Sequence, residues 1–261
     1  MQLEKKSIDP RHHRFPALEY PLYFRQLYRQ YGWRAFVKQF RFQYRRVFSR
    51  RLLKKYAPVG FGIELGVGAF TLAPVTRTVL TDGFHSHAST RTIATCFCDA
   101  NRIPAADSTF DFILSEHVLE HLCNPIRAIK EWARILKPGG RVFVFLPHKE
   151  RTFDRNRPRT RLSHLLDDFR SDLADPDSTH LREWEEQVIQ AGLAPHYAEI
   201  AGERHVHDGI IHHHVWITED IVELFTALGF RVLFSQDECP DRRDSFVVIA
   251  EKTEQLWKDP A

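Results

Sequence analysis

The spacing of apolar residues changes near residue 60 and divides the chain in two. Before that point it is helical. Phe24, Leu27, Tyr28 and Tyr31 recur at helical intervals, and Gly32 interrupts them. Trp33, Phe36, Val37, Phe40, Tyr44, Val47 and Phe48 then gather on one face, with Arg34, Lys38, Arg41 and Arg45 beside them. The spacing predicts a basic, amphipathic helical arm over residues 1–56. Its apolar stripe needs a cover, either the rest of the protein or an anionic membrane surface, which suits arginines and aromatics.

From Gly60 onward, short apolar runs alternate with helical patterns. Strands are expected at Ile63-Glu64-Leu65, at Arg77 to Thr81 ending on Asp82, around Cys96-Phe97-Cys98 ending on Asp99, at Phe110 to Leu114 and at Arg141 to Leu146. A well-punctuated helix lies between the last two: Asn124 as cap, Pro125 in the first turn, Ile126, Ile129, Ala133 and Leu136 on one face, and Lys137-Pro138-Gly139-Gly140 as the stop. Thr218-Glu219-Asp220 opens another helix, and the runs Phe230 to Phe234 and Ser245 to Ala250 make two final strands, expected to pair antiparallel. The alternation predicts an α/β domain over residues 57–261, with a mostly parallel seven-stranded sheet and helices on both faces. Residues 148–216 break the rhythm with charged, proline- and histidine-rich sequence, as an inserted cap after the fifth strand would.

Composition narrows the picture. With 261 residues there is room for one generous domain plus an arm or lid. No apolar run approaches the roughly 18–20 residues of a spanning helix. The N-terminal segment lacks the apolar core of a secretory signal, so a cytoplasmic protein is expected. The four cysteines form no CxxC pair, and reduced thiols are expected. The formal charge of +3 is uneven: residues 1–56 carry 15 Lys and Arg against 3 acids, net +12, which leaves −9 for the remainder. Such an arm calls for an anionic partner, on the body or outside it.

Gly66 and Gly68 follow the first strand, where the backbone must turn tightly and approach a ligand closely. Asp82 and Asp99 end the next two strands, and open α/β sheets bind ligands at such ends. These segments, together with Asp99-Ala100-Asn101-Arg102-Ile103-Pro104, Phe110-Asp111, Leu119-Glu120-His121 and Leu136-Lys137-Pro138-Gly139-Gly140, resemble the class I SAM-dependent methyltransferases, whose fold is Rossmann-like. The resemblance covers roughly residues 60–148 and 216–252. It implies binding of S-adenosylmethionine (SAM): Asp82 on the ribose hydroxyls, Asp99 and the Ala100 amide at the adenine, Glu64 helping to hold the methionine end, Gly66 and Gly68 in the loop. Two departures stand out. Ala69 occupies the place of a third glycine, and only 13 residues separate Gly68 from Asp82, so the first helix must be short or absent. The helix between Gly83 and Thr95 is expected to be short as well.

Methyl transfer to a hydroxyl needs alignment and a base. His148, after the fifth strand, is the first candidate, with Glu116 and His117 in reserve. In the insertion, Glu203 to His214 reads as a hairpin about an Asp-Gly turn, which would put Glu203, His205, His207, His212 and His214 on one face. That face would either bind a divalent metal or line the acceptor cleft without one. Asp154, Arg155, Arg157 and His164 belong to a segment expected to cover the acceptor, the arginines suiting phosphate or carboxylate. The block from Pro147 to Phe169, with His-x-Val-Trp further on, also resembles methyltransferases associated with bacterial surface-glycan assembly. That resemblance implies a glycan or glycolipid acceptor. An RNA methyltransferase using the arm, and a non-catalytic SAM-fold protein, are the alternatives. Nucleic acid is the less expected partner, because no RNA-binding motif accompanies the arm.

Overall fold

The computed structural model describes residues 45–74, 77–87, 90–200 and 202–256, with isolated positions 8, 28, 32, 33, 37 and 41. Its centre is a seven-stranded sheet. Numbering all strands in chain order, these are β1 (Gly62–Leu65), β2 (Thr78–Asp82), β5 (Cys96–Phe97), β6 (Phe110–Glu116), β7 (Leu136–Pro147), β8 (Phe230–Gln236) and β9 (Ser245–Lys252). They lie side by side in the order β5-β2-β1-β6-β7-β9-β8. All neighbours are parallel except β9, which runs antiparallel to both β7 and β8. The expected Rossmann-like α/β architecture is present, and each expected strand is found within a few residues of its place.

Period-two alternation sends side chains to two cores. Val142, Val144 and Leu146 of β7, with Phe246, Val248 and Ala250 of β9, pack with the apolar faces of two helices, α2 (Pro125–Ile135) and α6 (Thr218–Ala227). Asn124 caps α2 by accepting the Arg127 N–H at 3.0 Å. Phe143, Phe145, Val247 and Ile249 face the other way, onto Leu52, Leu53 and Ala57. These last residues belong to or adjoin α1 (Val47–Tyr56), the end of the arm. Ser49 fixes α1 further, donating through its backbone N–H and its hydroxyl to Asp241 at 2.9 and 3.0 Å. From residue 46 to 57, then, the arm is packed on the body. The rest of the expected stripe lies largely outside the described residues.

Between β1 and β2 no α-helix forms among the described residues, as the short interval demands. The helix expected after Gly83 does not form among the described residues either. In its place β3 (Ser86–His87) pairs antiparallel with β4 (Thr90–Arg91).

Residues 148–216 build a cap with its own small core of Trp184, Val188, Ala194, Ile210 and Ile211. It contains α3 (Leu162–Arg170), α4 (Leu181–Trp184) continued by a π-turn, and α5 (Gly202–His207). Its two ends meet where His148 bridges Trp216. No helix among the described residues is long and apolar enough to cross a membrane.

Candidate functional site

A cleft of about 490 Å³ opens where the strands end and the cap closes over them. Leu65, Gly66, Gly68, Asp82, Asp99 and Ala100 line one part, while His117, His121, Asp175, Val206 and His213 line the rest. Five of the six residues expected to hold the cofactor are therefore in one place. Gly66 has φ +61°, and a Cβ on it would stand 2.3 Å from Val118 Cγ2, so no other residue fits that turn. Asp82 is buried and shapes the loop, accepting the Gly68 N–H at 2.9 Å and the Phe84 N–H at 3.0 Å. Asp99 is exposed at the rim, where it accepts the Asn101 N–H at 2.8 Å.

Glu64 is the exception. It is buried outside the cleft lining and takes hydrogen bonds from the Thr71 hydroxyl and from the Leu72 and Ala73 amides at 3.2 and 3.3 Å. Burial raises its carboxyl to about 7 despite these donors. Its work is to pin the segment after the glycine loop.

The expected bases are occupied. His148 lies outside the cleft lining. Its Nδ1 accepts the Glu150 N–H at 3.3 Å, and its Nε2 stands 3.2 Å from Asp237. Glu116 pairs with Arg46 at 2.6 Å and Arg242 at 2.9 Å. His117 does line the cleft, but Arg242 donates to its Nδ1 at 3.2 Å, so its Nε2–H is the donor to Ser245 Oγ at 2.8 Å. Burial and Arg242 hold its imidazole well below the ordinary histidine range. Its one ring lone pair, on Nδ1, is already taken by Arg242.

Two residues of the Leu119-Glu120-His121 segment, neither of them among the expected bases, stand out instead. His121 lines the cleft, and its Nδ1–H donates to the Ile211 carbonyl at 2.9 Å, which leaves the lone pair on Nε2. That nitrogen lies 3.8 Å from Glu120 Oε1. Glu120 is fully buried, neither carboxylate oxygen accepts a hydrogen bond, and burial raises it to about 7. The signal was in the Leu119-Glu120-His121 segment, whose acid and base are adjacent.

The cap corrects several expectations. Residues 203–214 do not form a hairpin, because Gly202–His207 is helical and the chain turns at Asp208-Gly209. His205 is buried in that helix with Nε2 3.1 Å from the Tyr197 carbonyl, and the His207 side chain lies outside the described residues. His212 and His214 go to different places. His212, Glu120 and His121 bring ligand atoms within 4.8 Å of one another, whereas His214 joins His164, Asp168 and His180. Among the described residues, His205, His212 and His214 do not share one face.

Arg157 is not an acceptor clamp. Its buried guanidinium is bound by Asp154 at 3.1 Å, Glu183 at 2.7 Å and the carbonyls of His212 and His213 at 2.7 and 3.0 Å. Asp154 in turn holds His212 Nδ1 at 2.6 Å. Burial would raise this carboxyl, but His212 and Arg157 outweigh it and keep it below its ordinary range. Arg155 is exposed and, like Asp154, Arg157 and His164, does not line the cleft.

Residues 60–144 match a family described as a methyltransferase domain. Over 96 residues the chain is 34% identical to an uncharacterized protein of Methanocaldococcus jannaschii, a stretch covering 35% of this chain and 47% of that one. Over 118 residues it is 30% identical to a Homo sapiens protein named "Probable tRNA methyltransferase 9B", covering 41% and 26%. A solved structure from Thermotoga maritima, described as a SAM-dependent methyltransferase and possible histamine N-methyltransferase, aligns over 90% of this chain and 100% of its own at 20% identity, with a TM-score of 0.47. The chain spans less than half the length of the curated relatives it matches.

Proposed function

We propose that this chain is a SAM-dependent methyltransferase that transfers the methyl group to a hydroxyl oxygen, with a sugar hydroxyl of a glycan or glycolipid as acceptor. The match of residues 60–144 to a methyltransferase domain supports the reaction class. The cleft suits the donor: its volume lies in the range of small-molecule sites, and carboxylates stand at the ends of two neighbouring strands, β2 and β5. When bound, SAM supplies a methyl group already activated by its sulfonium. Asp82 accepts from the ribose hydroxyls, and Asp99 with the Ala100 amide meets the adenine edge.

One observation carries the choice of oxygen: a cleft-lining histidine, His121, has its tautomer fixed by Ile211 and a buried carboxylate beside the other nitrogen. In this reading Nε2 takes the acceptor's proton and Glu120 stabilises the imidazolium that results. The Asp154–His212 pair packs against this unit, with the His121 and His212 rings 4.7 Å apart at 80°.

The test uses the full chain, methyl-labelled SAM, and a panel of glycan, glycolipid and tRNA acceptors. The tRNA arm is included because one relative is named for that substrate and the arm here is basic. Labelled sugar is the expected product. Labelled tRNA alone would transfer the reading to RNA. SAM binding without turnover on any acceptor would leave a non-catalytic binding protein. Asp82→Ala should weaken SAM binding by about 1.5–3 kcal/mol, the usual worth of a charged hydrogen bond. Unchanged affinity by calorimetry in the folded variant would remove Asp82 from the donor site.

A further inference from the structure

Away from the cleft lining, the cap draws four metal-ligating side chains onto one point from three separate stretches of chain. His164 and Asp168 stand at i and i+4 on α3, so they share one helix face. His180 immediately precedes α4, and His214 lies on the return of the cap toward Trp216. His164 Nε2 is 2.9 Å from His180 Nε2 and 3.3 Å from Asp168 Oδ2. The same carboxylate oxygen is 3.9 Å from His180 Nε2 and 3.8 Å from His214 Nε2. All four ligand atoms lie within 4.8 Å of one another. A tetrahedral zinc site, with ligand bonds of about 2.0–2.2 Å, has edges of roughly 3.3–3.6 Å, so these spacings bracket its dimensions.

Hydrogen bonding alone does not account for the cluster. Asp168 Oδ2 is buried and accepts no hydrogen bond, although three imidazole nitrogens surround it. Thr179 donates its hydroxyl to Asp177, so at 3.0 Å its oxygen accepts the His180 Nδ1–H. That relay fixes the tautomer and turns the Nε2 lone pair of His180 toward the cluster, where it accepts from His164 Nε2–H when no ion is bound, as an outer-shell partner does for a metal-bound histidine. His214 Nε2 also lies 3.2 Å from the Cys123 carbonyl, the acceptor its N–H would use in the absence of an ion. Three of the four side chains are nearly sealed, with Asp168 10%, His180 8% and His214 0% exposed, while His164 is half exposed and closes the outer side.

We propose that His164, Asp168, His180 and His214 bind one zinc-type divalent cation that ties α3, the turn at His180 and the return of the cap together. Three imidazoles and one carboxylate suit zinc, and four protein ligands leave no open position, so the ion's role is structural. His213, the neighbour of one ligand, lines the cleft, so the clamp also sets that wall.

The test uses untagged full-length chain. Elemental analysis should find one zinc per chain, and cobalt(II) replacing it should give the intense visible bands of a tetrahedral site. His164→Ala removes the most exposed ligand and should leave the fold intact. It should weaken metal binding by more than the roughly 10–100-fold that loss of an outer-shell partner costs. Chelator should lower the melting temperature of the wild type and leave that of His164→Ala unchanged. His196→Ala, at an exposed histidine outside the cluster, should behave as wild type, and His121→Ala should retain the zinc. The proposal is overturned if zinc and cobalt(II) fail to bind the wild type. It is equally overturned if His164→Ala holds the ion as tightly as the wild type, or if His121→Ala is the variant that loses it.

Discussion

Burial lifts the carboxyls of Glu64 and Glu120 alike to about 7, but the two acids have opposite surroundings. Glu64 is wrapped by a hydroxyl and two amides, so it holds a loop; Glu120 has two histidines near one oxygen and accepts no hydrogen bond. The second arrangement suits proton chemistry. Glu120→Gln should slow turnover by roughly 10²–10⁴, the range for a positioned acid or base, while SAM affinity stays near that of the wild type. A variant with normal turnover would free Glu120 from the mechanism. Stability gives an independent reading. A folded pKa raised from 4.5 to about 7 contributes stability that is complete below 4.5 and lost as pH rises through 7. The gain in melting temperature of Glu120→Gln over wild type should therefore be larger at pH 8 than at pH 5. A constant gap would show that Glu120 is not strained by its charge. At this scale the strand-end acids Asp82 and Asp99 were legible in the sequence as cleft residues, because an acid at a strand end faces the cleft by topology alone. The base was not. His148 follows the strand as a base should, yet nearby Glu150 and Asp237 engage both its nitrogens, and only tertiary structure reveals that.

Elements buried on both faces were easy to read, since β6, β7 and β9 carry continuous apolar runs that nothing but a covered sheet explains. The segment after Glu203 misled for a definite reason. Asp-Gly at a two-residue turn signals a hairpin, but a glycine in the left-handed region also ends helices. Here Asp208 N–H bonds to Arg204 O and Gly209 has φ +62°, so the same dipeptide terminates α5. The arm shows the reverse case, a missing element predicting its substitute. With no helix between β1 and β2, Phe143, Phe145 and Val247 would lie open, and α1 covers them through Leu52 and Leu53. Leu53→Ala should then cost about 2–5 kcal/mol in denaturant unfolding, as large-to-small changes in a packed core do. A cost below about 0.5 kcal/mol, typical of surface positions, would mean that α1 is not part of the core.

At the level of the whole molecule, the charge imbalance in the sequence is partly resolved on the body itself. Arg46 of the basic arm meets Glu116, which also binds Arg242, and the nearby Ser49 binds Asp241. The arm's end, the end of β6 and the loop before β9 are thus joined behind the cleft wall that carries His117. On the other side the cap contributes Asp175, Pro176, Val206, Gly209 and His213 to the same cleft. Its own core is small, and much of its surface is polar or exposed, whereas β1, β2, β6, β9 and the second half of β7 are largely buried. Local opening should therefore cost less free energy in the cap than in the sheet. Anything bound in the cleft touches both bodies, and a ligand stabilises whatever conformation it binds in proportion to its occupancy. Amide hydrogen exchange should accordingly be fast in residues 173–177 and 202–213 of the ligand-free chain and slow in β6, β7 and β9. Adding S-adenosylhomocysteine, the product of the proposed reaction, which carries no methyl to transfer, should slow exchange in those two cap segments and in residues 66–68 and 82–84. The strands should change little, being near their limit already. Protection confined to the glycine loop and the Asp82 turn, with the cap unchanged at saturating ligand, would show that the cap does not close on the cofactor. The acceptor alone would then be left to engage it.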